Sequence, residues 1–104
     1  MIIVYVMTNE PEQVKEIVEL LINEKLITGV TVMDTVSSYK NDNDEIETVS
    51  TNLLIGRTKA MLFSTIEKLL KFKYGDKMPV LYAVPVVNMD VAHMEKLKKV
   101  IKEV

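Results

Sequence analysis

Residues 2–8, Ile2-Ile3-Val4-Tyr5-Val6-Met7-Thr8, are apolar or β-branched and stop at Asn9-Glu10-Pro11, which predicts a buried strand. Asn9 followed three residues later by Glu12 has the spacing of a capping box, and Pro11 suits a first helical turn. Val14, Ile17, Val18, Leu21 and Ile22 then recur at helical spacing, predicting a helix from about 10 to 26 with Gly29 just past its end. Residues 29–40 and 45–57 are rich in β-branched residues and read as two strands. Asn41-Asp42-Asn43-Asp44 lies between them, and each of these side chains can bond local backbone, so the pair reads as a hairpin. Thr58 is placed to cap a second helix running to about 73. Its apolar set is Met61, Leu62, Ile66, Leu69 and Leu70, with Phe63 and Phe72 widening the stripe. Tyr74-Gly75-Asp76-Lys77 is a loop. Pro79 and Pro85 bracket a short strand at Val80–Val84 that belongs at a sheet edge. Asp90 caps a last helix over 91–103, with Met94, Leu97, Ile101 and Val104 in one stripe and Val100 beside it.

The resulting order, β-α-β-β-α-β-α, is an α+β arrangement whose first six elements form the split βαβ, or ferredoxin-like, sandwich with an antiparallel sheet. A doubly wound sheet would need a helix where Asn41–Asp44 stands, and four residues leave no room. The hairpin strands are about 12 residues long, or roughly 40 Å at ~3.3 Å per residue, whereas a helix of about 16 residues covers only ~24 Å. The hairpin must overhang its own helices, and an isolated two-stranded ribbon is marginal in water. Val36, Tyr39, Ile46 and Val49 lie in the overhang, and a neighbouring copy of the same hairpin is the simplest partner for them. A closed homo-oligomer is expected.

Composition narrows the chemistry. The 104 residues suit one domain and include no cysteine, which removes disulfides, iron–sulfur ligation and CxxC sites. The formal charge of −2 conceals a split: residues 1–50 hold ten acids and three bases, residues 51–104 five acids and ten bases. Glu12, Glu16 and Glu19 on the first helix and Lys68 and Lys71 on the second are expected to face each other as exposed ion pairs. No apolar run approaches the roughly 20 residues of a membrane span, and the apolar start lacks a basic flank and a cleavage pattern, so a cytoplasmic protein is expected.

Several stretches in order resemble the CutA family of divalent-cation-tolerance proteins. They are the opening Ile-Ile-Val-Tyr-Val before a Pro- and Glu-containing helix start, Asn23-Glu24-Lys25-Leu26-Ile27 leading into Gly29-Val30-Thr31-Val32, and Val36-Ser37-Ser38-Tyr39. Leu53-Leu54-Ile55-Gly56-Arg57-Thr58 and Met78-Pro79-Val80-Leu81-Tyr82-Ala83-Val84-Pro85-Val86 complete the set. The resemblance implies a ferredoxin-like fold, a tight trimer built through the long hairpin, and a link to copper and other divalent metals. The chain departs from that pattern at Gly29, where the family usually has cysteine, and at Lys73-Tyr74-Gly75-Asp76, where it has a His-Pro-Tyr stretch. It also departs at Asn41 or Asp42 and at Lys96, where tryptophans are expected, and at Arg57, which replaces a lysine. The related PII signalling trimers share the scaffold and bind anionic ligands at subunit junctions, which makes a PII-like small-molecule sensor the alternative.

Candidate ligands are few. His93, the only histidine, could join Asp90 and Met94 at a copper ion. Asp42, Asp44, Glu45 and Glu47 at the hairpin tip offer oxygen ligands for a divalent cation, without EF-hand spacing. The seven methionines are scattered and read as core packing. Val36, Tyr39, Val49, Arg57 and Lys59 are expected near a subunit junction, where Tyr39, Arg57 and Lys59 could meet an anion. Other uses of this scaffold lack their residues. The third strand has no aromatic to stack a nucleobase, the loop after the first strand has no arginine for a phosphate, and no serine has an evident base partner. A binding protein without catalysis, nucleic acid or membrane is the expectation; an assembly module without any ligand is the third possibility.

Overall fold

The computed structural model describes residues 1–103, so Val104, assigned above to the last apolar stripe, lies outside the described residues. The elements are β1 (Ile2–Thr8), α1 (Pro11–Asn23), β2 (Thr28–Asp42), β3 (Glu45–Thr58), α2 (Phe63–Tyr74), β4 (Val80–Pro85) and α3 (Val91–Val100). Short 3-10 turns at Ala60–Leu62 and Gly75–Lys77 flank α2. The sheet has the order β2-β3-β1-β4, with every neighbouring pair antiparallel. This is the ferredoxin-like split βαβ arrangement, and β4, which follows Pro79 and ends at Pro85, stands at an edge as expected.

Alternation along β1 sends Val4, Val6 and Thr8 to the helix side of the sheet, where all three are buried. There they join a core made with Ile17 and Leu21 of α1, Leu54 of β3, Leu62, Ile66 and Leu70 around α2, and Leu97 and Ile101 at the end of the chain. The predicted stripes are narrower in the structure. Ile22 is only partly covered, and Met61 and Phe72 turn away from the core, Phe72 with 91% of its surface open.

Polar contacts correct the helix ends. The first helix stops at Asn23, short of 26, in a Schellman turn: Leu26 N–H bonds Leu21 O at 2.9 Å, Lys25 N–H bonds Ile22 O at 3.0 Å, and Lys25 takes φ 58°. Asn9 does not cap α1. Its Oδ1 accepts the Thr51 hydroxyl at 3.1 Å, while Thr8 Oγ1 accepts Glu10 N–H at 3.0 Å. Thr58 does not cap α2 either. It is fully buried at the end of β3 and donates its hydroxyl to Leu26 O at 2.6 Å, tying the strand to the end of α1. Asp90 does cap α3, its Oδ2 accepting His93 N–H at 3.0 Å, but that helix ends at Val100 and not at 103. The ion pairs expected between α1 and α2 are absent among the described residues. Lys15 pairs with Glu19 on its own helix at 3.9 Å, and Tyr74 OH donates to Glu16 at 2.9 Å.

The hairpin is longer than predicted. β2 and β3 have 15 and 14 residues and join through a two-residue turn, Asn43-Asp44, so Asn41 and Asp42 belong to the strand. Both turn residues have positive φ, 49° and 65°, the requirement of a type I′ turn that Asn and Asp tolerate. The molecule is 46 Å along its longest axis. Two bulges interrupt β2 where the register shifts between Thr28 and Thr31 and between Met33 and Val36. Each contains a left-handed residue, Gly29 at φ 63° and Thr35 at φ 56°.

Candidate functional site at the hairpin and the sheet

Helices α1 and α2 cover one face of the sheet, and the other face is left open. Register places Tyr5 opposite Ile55 and Tyr82, Met7 opposite Leu53 and Val80, and Ile3 opposite Arg57 and Val84. Tyr5 and Tyr82 stack with ring centroids 5.0 Å apart. Val80 is 61% exposed and Met33, Tyr82 and Val84 are partly exposed, so the face presents apolar surface of the kind that marks an interaction site. Beyond it projects the hairpin arm. Tyr39 and Ile46 are 70% and 79% exposed there, while Val36 and Val49 are half-buried.

A cleft of about 490 Å³ lies at the root of the arm, between Ser38, Tyr39 and Lys40 of β2, Thr51 of β3, and the segment Asp76–Val80. A buried network fixes its wall. Thr8 Oγ1 donates to Gln13 Oε1 at 2.6 Å, and Gln13 Nε2 donates to Lys77 O at 2.8 Å, which anchors the Asp76–Val80 segment to α1. Gln13 had no apolar or chemical signature in the chain. Its only signal is a polar residue on the otherwise apolar side of an amphipathic helix, beside Ile17.

The acidic candidates do not converge within one chain. Asp42 stands directly across from Glu45, a like-charge pair, and Lys40 stands across from Glu47 with Nζ–Oε2 at 3.7 Å. All four carboxylates are exposed, and among the described residues no three His, Asp or Glu side chains gather closely enough to hold a metal ion. His93 lies at the other end of the sheet. Its Nδ1 is 2.6 Å from Asp90 Oδ2, and the bonds from His93 N–H and ring hold the Asp90 carboxyl below its ordinary range. The methionine lining the crevices with His93 is Met89, not the Met94 expected to share a copper ion with it. Tyr39 and the Arg57–Lys59 pair are also far apart. Tyr39 pairs with Thr48 and Arg57 with Thr28, and nine residues of β3, or roughly 30 Å, separate Thr48 from Arg57. Lys59 Nζ is engaged with Lys102 O at 3.0 Å.

Comparison with known proteins agrees with this architecture. No curated protein matches the chain. Among solved structures, CutA1 from Oryza sativa superposes with a TM-score of 0.87 at 25% identity, covering 99% of this chain and 94% of the rice chain. CutA1 from Pyrococcus horikoshii gives 0.85 at 19% identity over 99% and 100% of the two chains. A periplasmic divalent cation tolerance protein, CutA from Archaeoglobus fulgidus, gives 0.84 at 17% identity over 98% and 100%. The sequence profile of the CutA1 divalent ion tolerance proteins matches residues 2–101, and the chain belongs to that family.

Proposed function

We propose that this chain acts as a homotrimer in the divalent-ion tolerance of its family, capturing a divalent cation such as copper at subunit junctions, by binding and without catalysis. The observation that carries the reading is the open apolar sheet face continuing into a long, thinly covered hairpin. Such a surface is costly in water, and neighbouring copies would bury it. Junctions also suit the metal chemistry. One chain brings together no ligand group among its described residues, whereas a three-fold assembly would present three copies of Asp42, Asp44, Glu45 and Glu47. Light scattering after gel filtration tests the assembly, with a mass of about three times the 11.9 kDa chain expected and a monomer at micromolar concentration refuting it. Calorimetric titration of metal-free protein with Cu²⁺ and Zn²⁺ tests the ligand. Heat lost on replacing Asp44 and Glu45 by alanine supports the tip, heat lost in His93→Ala moves the site to α3, and no heat refutes metal capture. A cytoplasmic location completes the reading, and fractionation of cells producing the chain tests it.

The cleft at the root of the hairpin favours a second reading, a PII-like sensor of a small anionic molecule. Lys40 and Lys77 line it beside Glu10 and Asp76, so its charges balance, and its volume of about 490 Å³ is within the range of small-molecule sites. Calorimetry with ATP separates the two, because heat from nucleotide without heat from metal selects the sensor.

A further inference from the structure

Where α3 lies against the end of the sheet, a cationic group makes no ion pair among the described residues. Arg57 on β3 is half-buried, yet it makes no ion pair and no side-chain hydrogen bond among the described residues. Its guanidinium occupies the space beside the Gly29 backbone, where a Cβ on that residue would overlap Arg57 Nη2 and crowd Nε and Cζ. The bulge in β2 thus supplies a seat for the guanidinium, and glycine is what keeps the seat open. Two adjoining crevices, of about 370 and 170 Å³, share Arg57, Met89 and His93 in their walls. The larger adds Ile3 and Val86, and the smaller adds Lys96, which also has no ion pair among the described residues. The one carboxylate present, Asp90, is committed to His93, accepting both its backbone N–H and its ring nitrogen.

We propose that these crevices bind a small organic carboxylate, its head on the Arg57 fork with Lys96 beside it and its short apolar body against Ile3, Val86 and Met89. The chemistry follows from the walls. A guanidinium presents parallel N–H donors that match a carboxylate in a bidentate pair. Apolar side chains next to it reward an aliphatic body with about 25 cal/mol for each Å² removed from water. A metal ion is disfavoured at the same place by the two cations, although His93 is the residue that metal chemistry first suggests. The site is built from the residues of one chain and rests on no metal, but Ile3 and Arg57 stand on the sheet face that the proposed trimer would cover, so the titration is paired with light scattering, which tests the trimer separately.

The test is a titration of ¹⁵N-labelled full-length protein, in its native assembly state, with isovalerate, following the Arg57 Nε–H signal and the His93 ring nitrogens. Parallel arms use 3-methyl-1-butanol, which keeps the body and lacks the charge, and inorganic phosphate, which keeps a charge and lacks the body. Saturable shifts with isovalerate at lower concentration than with either control are expected. Arg57→Gln is expected to weaken isovalerate binding about tenfold, the loss of one charged bidentate contact. Arg57→Lys keeps the charge but not the fork and is expected to weaken it by less. Absence of a saturable shift, phosphate binding as tightly as isovalerate, or unchanged affinity in a folded Arg57→Gln or Arg57→Lys protein overturns the proposal.

Discussion

Replacing Thr35 by glycine is expected to stabilise this protein, although it deletes a side chain from the middle of a strand. Thr35 sits in the second bulge of β2 at φ 56°, a region that L-residues occupy at a cost of about 1–2 kcal/mol, and a β-branched side chain is poorly suited to it. Its side chain is exposed, so its loss forfeits little packing. The conformation is held from outside: Thr35 N–H donates to Asn52 Oδ1 at 3.1 Å, and buried Asn52 donates from Nδ2 to Thr8 O at 3.3 Å, pinning β2 through β3 to β1. Glycine relieves the strain and keeps both bonds, since they use backbone of residue 35 and the side chain of Asn52. Against the gain stands the larger chain entropy that glycine loses on folding, about 0.5–1 kcal/mol. The net is a gain of about 0.5–1 kcal/mol, or a Tm higher by about 2–6 °C for a domain of this size. Urea unfolding followed by circular dichroism measures it, with wild type and variant at one protein concentration because an oligomer's stability depends on concentration. Thr35→Ala, which keeps a Cβ in the left-handed region, should gain much less. A glycine variant equal to or weaker than wild type would refute the reasoning and show that the bulge is not strained.

Lys25→Gly places glycine at the left-handed position of the Schellman turn after α1 and is expected to stabilise by about 1 kcal/mol in the same assay; destabilisation would mean that the Lys25 stem packs on the chain. Tyr82→Glu puts a charge beside stacked Tyr5 on the open face and should convert the proposed trimer to monomer in light scattering while leaving the circular dichroism spectrum unchanged; an intact trimer would exclude this face as the interface. The bonds from His93 hold the Asp90 carboxyl below the ordinary aspartate range, so its cap contributes above that range and is lost as pH falls through the lowered value. Asp90→Asn keeps a capping oxygen and removes the titration, so hydrogen exchange in the first turn of α3 should lose its acid-dependent rise in the variant, and an unchanged rise would assign it to another group.

The elements were legible because burial dictates them. Val4 and Val6, Ile17 and Leu21, and Ile66 and Leu70 each carry the period of the surface they pack on, and that period survives in any context. Polar contacts were not legible in the same way. Asn9 and Thr58 carry the chemistry of helix caps, but partners far along the chain, Thr51 and the Leu26 carbonyl, compete for the same oxygens and win. Lys25 ends its helix in a conformation for which lysine gives no cue. Of the candidate site, the long hairpin and its exposed Tyr39 and Ile46 could be read from strand length alone. The meeting of Gly29, Arg57 and His93 could not, because only the register of β2 on β3 and the return of α3 bring them together.

The strand order carries a consequence for how the chain is made. β1 is central, but both of its neighbours come later: Val4 pairs with Gly56 and with Ala83. At a synthesis rate of roughly 5–20 residues per second, the strand waits about 4–15 s after Thr8 before Pro85 has been added. Throughout that wait Ile2–Met7, an apolar β-forming segment without a charge, has at most one of its two edges satisfied. The hairpin has no such delay, since β2 and β3 are consecutive and turn on Asn43-Asp44. The early hairpin is therefore the surface on which the exposed first strand is caught, and folding during synthesis is a contest between that capture and aggregation. Slowing translation beyond residue 60 should lower soluble yield without changing the stability of the protein that does fold.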